Sequence, residues 1–137
     1  MPNPKPKART QSEFSYTIEH GELAATATIK GMNAPRPFIV DRIEYVNQTG
    51  LVEDNANAFR GSARKGATEF AYLFDTDANL VPDSGASLAA ATWVEGTLDA
   101  DSTKRTFATG DDLDLRFVLT GTQTLPPGKA VVHGRWL

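Results

Sequence analysis

The chain has 137 residues, a formal net charge of -3 and no cysteine. The absence of cysteine excludes disulfides, thiolate metal sites and cysteine catalysis. No apolar run approaches the roughly 18 residues of a membrane span, so we expect no membrane partner. The length suits one domain with its own hydrophobic core.

The charge is distributed unevenly along the chain. Residues 1–12 contain Lys5, Lys7 and Arg9 and no acidic residue, whereas the rest of the chain holds 11 basic and 17 acidic residues, a net charge of -6. Because phosphate binding needs a basic face, this acidic body makes nucleic acid an unlikely main partner. No apolar segment follows the basic start, so we expect no secretory signal, and the lack of cysteine suits assembly in a reducing cytoplasm.

The first twelve residues predict an extended arm. Pro2, Pro4 and Pro6 alternate with polar residues, which favours a polyproline-like path. Such a segment cannot bury enough apolar surface to fold alone. Two interpretations remain, a disordered terminus and an arm that becomes ordered on a partner. We therefore divide the chain into an arm, residues 1–12, and a single domain, residues 13–137.

Period-two alternation predicts strands along the domain. In the first of them Phe14, Tyr16 and Ile18 share one face, and residues 38–46 are apolar on both faces, as in a covered central strand or a bulged one. Residues 87–95 mix helix-favouring alanines with Thr92, Trp93 and Val94, and we favour a strand. The main strand candidates in chain order are 13–19, 22–30, 38–46, 56–64, 68–75, 87–95, 113–119 and 129–136.

The last third of the chain gives the clearest pattern. Leu113, Leu115, Phe117 and Leu119 alternate with polar residues, residues 121–128 carry turn chemistry, and alternation resumes over 129–136. We expect these two strands to form a hairpin around which the rest packs. Eight or nine strands with no long helix predict an all-β protein, a two-sheet antiparallel β-sandwich with an extended N-terminal arm, jelly-roll-like or alternatively immunoglobulin-like.

The residues that could carry chemistry do not form a catalytic set. His20, beside a turn glycine, and His133 are interpreted as exposed surface histidines, and Asp111, Asp112 and Asp114 as a solvated acidic turn. Residues 61–66 match neither a nucleophile elbow nor a phosphate loop. We therefore expect no enzyme activity, no cofactor and no metal site.

Three basic residues and one tryptophan are candidates for partner contacts. Arg60, Arg64 and Lys65 predict a local basic patch on a strand edge, which is either solvated or meets an acidic surface on a neighbouring subunit. Trp136 either caps the core or faces a partner subunit.

Several segments together resemble a known group of proteins. The segments that carry the resemblance are Gly96-Thr97-Leu98, Phe107-Ala108-Thr109-Gly110-Asp111, Leu113-Asp114-Leu115, Thr120-Gly121-Thr122, Leu125-Pro126-Pro127-Gly128, Val131-Val132-His133-Gly134-Arg135-Trp136 and, upstream, Val40-Asp41 with Tyr45-Val46-Asn47-Gln48-Thr49-Gly50-Leu51. They resemble capsid decoration (cement) proteins and related head-surface proteins of tailed bacteriophages, which have β-sandwich folds. The likeness covers residues 38–137, and its motifs are hairpin-forming rather than catalytic.

The resemblance implies a structural virion protein that binds the outside of a phage head and stabilises the shell. The implied partner is the major capsid protein of the same phage, the implied assembly is a homo-oligomer with a trimer favoured, and the implied location is the virion surface. The resemblance implies binding through an N-terminal arm, here Pro4, Lys5, Lys7 and Arg9. The residue pattern adds Arg60, Arg64, Lys65 and Trp136 as candidate partner contacts. Two alternatives stay open, a tail or head-fibre subunit and a carbohydrate- or ligand-binding sandwich that uses an exposed Trp93 or Trp136.

Overall fold

The computed structural model of the chain describes residues 12–54, 56–77 and 87–137. Arm residues 1–11 lie outside these ranges, and so do the predictions made for them. No helix in the described part of the chain is long and apolar enough to cross a membrane. The strands are β1 (Glu13–His20), β2 (Ala27–Asn33), β3 (Phe38–Asn47), β4 (Ala58–Lys65), β5 (Thr68–Asp75), β6 (Val94–Glu95), β7 (Thr97–Leu98), β8 (Thr106–Phe107), β9 (Asp112–Thr120) and β10 (Gly128–Trp136), with a 3-10 turn at Ser102–Arg105.

The strands form two antiparallel sheets packed as a sandwich. Sheet 1 has the order β1-β10-β3-β6, with β8 also paired to β3, and sheet 2 has the order β2-β9-β4-β5-β7. The all-β two-sheet sandwich is confirmed. Most connections cross from one sheet to the other, and β4–β5 is a hairpin within sheet 2.

The predicted hairpin of the last third is wrong. Strand β9 lies between β2 and β4 in sheet 2, whereas β10 lies between β1 and β3 in sheet 1. The loop between them begins at Gly121, whose φ of 75° is left-handed, and it carries the chain across the sandwich. Alternation told correctly which side chains are buried, but strands that face the core from opposite sides show the same alternation as paired strands.

Two other predicted strands have different bounds. Strand β2 begins at Ala27 rather than at residue 22, and it continues past the predicted end at residue 30 to Asn33, with a register shift after Lys30. Of residues 87–95, Val94–Glu95 are in a strand, while Ala90 and Ala91 form a turn. Ala91 has a φ of 49°, which interrupts extended structure.

Aromatic residues from both sheets fill the core. Phe38 stacks on Phe107 with ring centroids 4.5 Å apart, and Tyr45 stacks on Phe74 at 5.1 Å. Phe117 of β9 completes this group and is fully buried. A register shift between β10 and β3 at His133 shows that the bulged alternative for residues 38–46 is the right one.

Gly96 marks the point where the chain switches from sheet 1 to sheet 2. Its N–H donates to the Ile43 carbonyl at 2.8 Å, and a Cβ at this position would lie 2.7 Å from Ile43 Cγ2 and 3.0 Å from Leu73 Cδ2. The backbone therefore passes between two core side chains where a larger residue would not fit.

Candidate interaction surfaces

The outward side of sheet 1 is a mostly acidic surface. Five carboxylates and three permanent cations lie on this surface, and most of these side chains are solvent-exposed. We call it the acidic face, and its charged residues are Glu13, Glu19, Asp41, Glu44, Glu95, Arg42, Lys129 and Arg135.

Both arginines of the acidic face are held by carboxylates of β3 and β6. Arg135 donates through Nε and Nη2 to both oxygens of Asp41, at 2.6 and 3.1 Å, and this bidentate contact raises the pKa of Arg135. Arg42 contacts Glu44 at 2.9 Å and Glu95 at 3.4 Å. The cationic charge of these arginines is thus already satisfied within the chain.

His133 extends the same network. Its Nε2 donates to Glu44 Oε1 at 3.1 Å, and the Ser15 hydroxyl lies 3.0 Å from Nδ1. The side chain is partly exposed, on the outward face of β10 as predicted, but it is a member of an ordered polar network rather than a free surface histidine.

The outward side of sheet 2 has a different chemistry. It carries four cations, and two of its carboxylates, Asp75 and Asp114, are only 4% and 5% exposed. Solvent and partners therefore meet mainly positive groups. We call it the arginine face, and its principal residues are Lys30, Arg60, Ser62, Arg64, Glu69, Tyr72, Asp75, Asp114, Arg116 and Val118.

Arg60 is fully engaged within this face. Its guanidinium contacts both oxygens of Glu69, at 2.6 and 3.1 Å, and lies 5.3 Å from the centre of the Tyr72 ring. The hydrogen bond to Glu69 raises the pKa of Arg60. Asp75 lies 3.9 Å from the Arg60 Nε, and burial raises the pKa of that carboxyl group.

Asp114 is a buried carboxylate, so the prediction of a solvated turn is wrong for this residue. It accepts the Gly31 N–H at 3.3 Å and lies 3.4 Å from Lys30 Nζ. Asp112, two positions earlier, is exposed as predicted. The difference arises because Asp114 sits inside β9, flanked by β2 and β4.

Arg64 is the exception on the arginine face. Among the described residues it has no hydrogen bond and no ion pair, and its Nε is buried without a partner. Arg116 is similar, because its Nη1 donates to Thr28 Oγ1 at 2.8 Å while its Nε is buried and unpartnered. In the strand register Arg64 opposes Asp114 and Arg116 opposes Ser62, so the two arginines are diagonal neighbours.

The predicted basic patch is therefore divided. Strand β4 lies between β9 and β5, so its position at a strand edge is wrong. Lys65 points to another part of the molecule, where Nζ donates to the carbonyls of Thr103 and Thr106 at 2.9 Å each. The sequence missed Arg116, although its outward place in the β9 alternation was visible.

Trp136 packs against the core, as one of its two interpretations predicts. Its ring stacks on Phe14 with centroids 4.3 Å apart and meets Phe38 edge-on at 5.8 Å, and the Arg36 guanidinium lies 5.3 Å from its centre. Trp93 is different, because it remains 45% exposed.

Trp93 stands beside a shallow groove at one end of the acidic face. Lys129 Nζ lies 5.9 Å from the centre of the Trp93 ring, and Lys129 also lines the groove. The left-handed Ala91 lies in the loop that forms one wall, where its N–H donates to the Asn47 carbonyl at 2.8 Å. The groove residues are Glu19, His20, Val46, Gln48, Ala91, Pro127, Gly128 and Lys129.

Under this groove runs a buried polar chain, and the prediction that His20 is exposed is wrong. Asn47 Nδ2 donates to the Tyr45 hydroxyl at 3.1 Å. His20 Nδ1 donates to the Gly21 carbonyl, so Nε2 is the accepting nitrogen of the ring, and the Tyr45 hydroxyl donates to it at 2.7 Å. Burial lowers the pKa of His20 and raises the pKa of Tyr45 to about 12. The inward alternation of β1 continues to residue 20, which is the signal that could have placed His20.

In the described ranges, no three histidine, aspartate or glutamate side chains come together as a metal site. The geometry instead offers two surfaces and one groove for binding.

The sequence matches no protein-family model and no curated protein. One solved structure similar to this chain is described as "Cyanophage Pam1 capsid asymmetric unit"; the match covers 100% of this chain and 93% of that chain, with a TM-score of 0.54 and 11% identity. At this identity the likeness shows a shared fold.

Proposed function

We propose that the chain is a structural protein of a phage virion, a decoration or cement protein that binds the outer surface of the head. Its function is non-enzymatic: it bridges neighbouring subunits of the shell. Because it binds the assembled lattice better than free subunits, it stabilises the shell by mass action.

The observation that carries this proposal is the full-length likeness to a chain of a cyanophage capsid asymmetric unit. The match spans the whole chain rather than a common core motif, and the sequence motifs of residues 38–137 independently resemble head-surface proteins. Fold alone does not fix function, so the contact surface has to be argued from its chemistry.

We assign the shell contact to the arginine face. Arg64 has no partner among the described residues, and an arginine on the outward side of a sheet is well placed to pair with a carboxylate across an interface. Val118, 37% exposed and opposite Arg60 on the same face, adds apolar surface. Arginine-centred patches of this kind are typical interface hot spots. The face therefore fits a carboxylate-bearing patch of the major capsid protein.

The first test is co-sedimentation of the purified full-length chain with heads of its own phage that lack it. We expect the chain to sediment with heads up to a fixed number of copies per particle and to raise the temperature at which the heads rupture. A chain that stays in the supernatant, or that binds purified tails instead, would contradict the head assignment. Binding to tails would favour the tail-subunit alternative.

The variant Arg64→Glu tests whether the arginine face makes the contact with the shell. Loss of sedimentation with an unchanged circular dichroism spectrum supports the arginine face as the contact. Arg42→Glu on the acidic face is the control, because it makes the same charge reversal at an arginine on the opposite surface.

A further inference from the structure

The groove beside Trp93 combines features that suit a proline-rich basic segment. Trp93 offers an exposed aromatic surface, Val46 and Pro127 give apolar walls, and Glu19 gives a carboxylate at the rim. In the part of the chain that the structure describes, Glu19 has no ion pair. Aromatic grooves with a nearby carboxylate bind polyproline segments that carry a cation.

The chain itself contains such a segment outside the described ranges. In a polyproline helix, with three residues per turn, side chains three positions apart share a face. The arm therefore pairs a proline with a cation three times, in Pro2 with Lys5, Pro4 with Lys7 and Pro6 with Arg9. Each pair spans about 9 Å, at about 3.1 Å per residue.

Charge complementarity selects this groove over the arginine face. The arm has three cations and no carboxylate, and the groove lies at the end of the acidic face, whose carboxylates outnumber its permanent cations. The arginine face would repel the same segment. Arg9 is also the better partner for a carboxylate because its guanidinium binds both oxygens at once.

Chain length decides which copy supplies the arm. From Arg9 to Glu13 there are four residue steps, which reach about 14 Å when fully stretched, whereas the six steps of β1 from Glu13 to Glu19 cover about 20 Å. The chain would also have to reverse direction at the start of β1. The Pro6–Arg9 pair therefore fits the groove of a second copy better than the groove of its own.

We propose that the N-terminal arm of one copy docks in the Trp93 groove of a neighbouring copy, with Pro6 against Trp93 and Arg9 on Glu19. This contact links copies to each other and is separate from the shell contact. It also gives the exposed tryptophan and the left-handed Ala91 loop a shared role, since that loop forms the wall of the docking groove.

The test is the solution mass of the full-length chain by light scattering at several concentrations. We expect masses above the 14.8 kDa monomer that decrease on dilution, and an association constant at least about tenfold lower for Trp93→Ala, Glu19→Arg and Arg9→Glu. The double variant Arg9→Glu with Glu19→Arg restores the reversed ion pair and should recover most of the association. Glu22→Lys, an exposed carboxylate just past β1, is the matched control and should associate like the natural chain.

Several outcomes would overturn the proposal. A strict monomer at all concentrations contradicts it, and so does association that Trp93→Ala and Glu19→Arg leave unchanged in folded variants. A glycan that binds the groove, with a mass independent of the arm, would make the groove a ligand site instead. None of these measurements uses the phage head, so the docking of the arm can fail while the proposed head function stands.

Discussion

The two outer faces of the sandwich both carry arginines and carboxylates, but they differ in how the arginines are paired. On the acidic face Arg42 and Arg135 are bound by carboxylates from neighbouring strands. On the arginine face Arg60 is bound in the same way, but Arg64 has no partner among the described residues and Arg116 leaves its Nε unpaired. An arginine that the chain does not satisfy is available for a partner, so we expect the proposed shell contact on the arginine face rather than on the acidic face.

The buried side chains beneath the two faces also differ. Under sheet 1, next to the groove, His20, Tyr45 and Asn47 form a buried hydrogen-bonded chain, whereas the inward residues of β9 in sheet 2 are Leu113, Leu115 and Phe117.

The largest expected effect is on shell binding. Arg64→Glu reverses the one arginine with no partner among the described residues, and we expect head affinity to fall by about thirtyfold or more, equivalent to about 2 kcal/mol. Arg42→Glu should change head affinity much less, because that residue faces away from the proposed contact. Quantitative co-sedimentation measures both. Equal losses in the two variants would remove the distinction between the faces.

Tyr45→Phe should be the most damaging of the small substitutions for stability. Removing the hydroxyl leaves His20 Nε2 and Asn47 Nδ2 each with one buried contact fewer, and we expect a loss of about 1–3 kcal/mol in the free energy of unfolding. Tyr16→Phe, which loses a single bond to the Gly31 carbonyl, is the matched control with a smaller loss. Urea unfolding measures the free energy of unfolding of both variants. Equal losses would show that the buried hydrogen-bonded chain contributes no more to stability than the single hydrogen bond of Tyr16.

Stability should depend on pH through the same chain. Burial lowers the pKa of His20 in the folded state, so the unfolded state binds a proton first and stability falls as the pH drops below about 6.5. The pKa of Tyr45, raised to about 12, predicts a second loss as the pH rises above about 10. Thermal melts across pH measure both limbs. A His20→Gln variant whose acid limb near pH 6 matches that of the natural chain would contradict this assignment.

The smallest effect is expected for the ion pair on the acidic face. Arg135 and Asp41 are well aligned but solvated, and exposed pairs of this kind contribute little to folding. Arg135→Ala should shift the melting temperature by an amount at the limit of measurement, in low and high salt alike. A decrease comparable to that of Tyr45→Phe would mean that the acidic face stabilises the sandwich.

The sequence predicted local burial better than pairing. Alternation in β1 and β9 identified the inward residues because a strand buries every second side chain wherever it lies in the sandwich. The same alternation could not tell that β9 and β10 belong to different sheets. The glycine that follows His20 is typical of an exposed turn, but His20 is still the last inward residue of β1 and is buried.

The candidate surfaces depended on register, which the sequence does not display. Strand pairing sets Arg64 opposite Glu69 of β5 and Asp114 of β9, yet Glu69 binds Arg60 instead, and Arg64 forms an ion pair with neither carboxylate. Lys65, adjacent in sequence, is directed to the Thr103 and Thr106 carbonyls. The composition of the basic patch was visible, and its division between two regions was not.

The most direct test of the central claim is a cryo-electron microscopy map of the phage heads to which the proposed function assigns this chain. We predict density for the sandwich on the outer surface of the shell, with the Arg64 side of sheet 2 facing the capsid subunits and the acidic face exposed. Heads without this density, or a sandwich bound through the acidic face, would contradict the account.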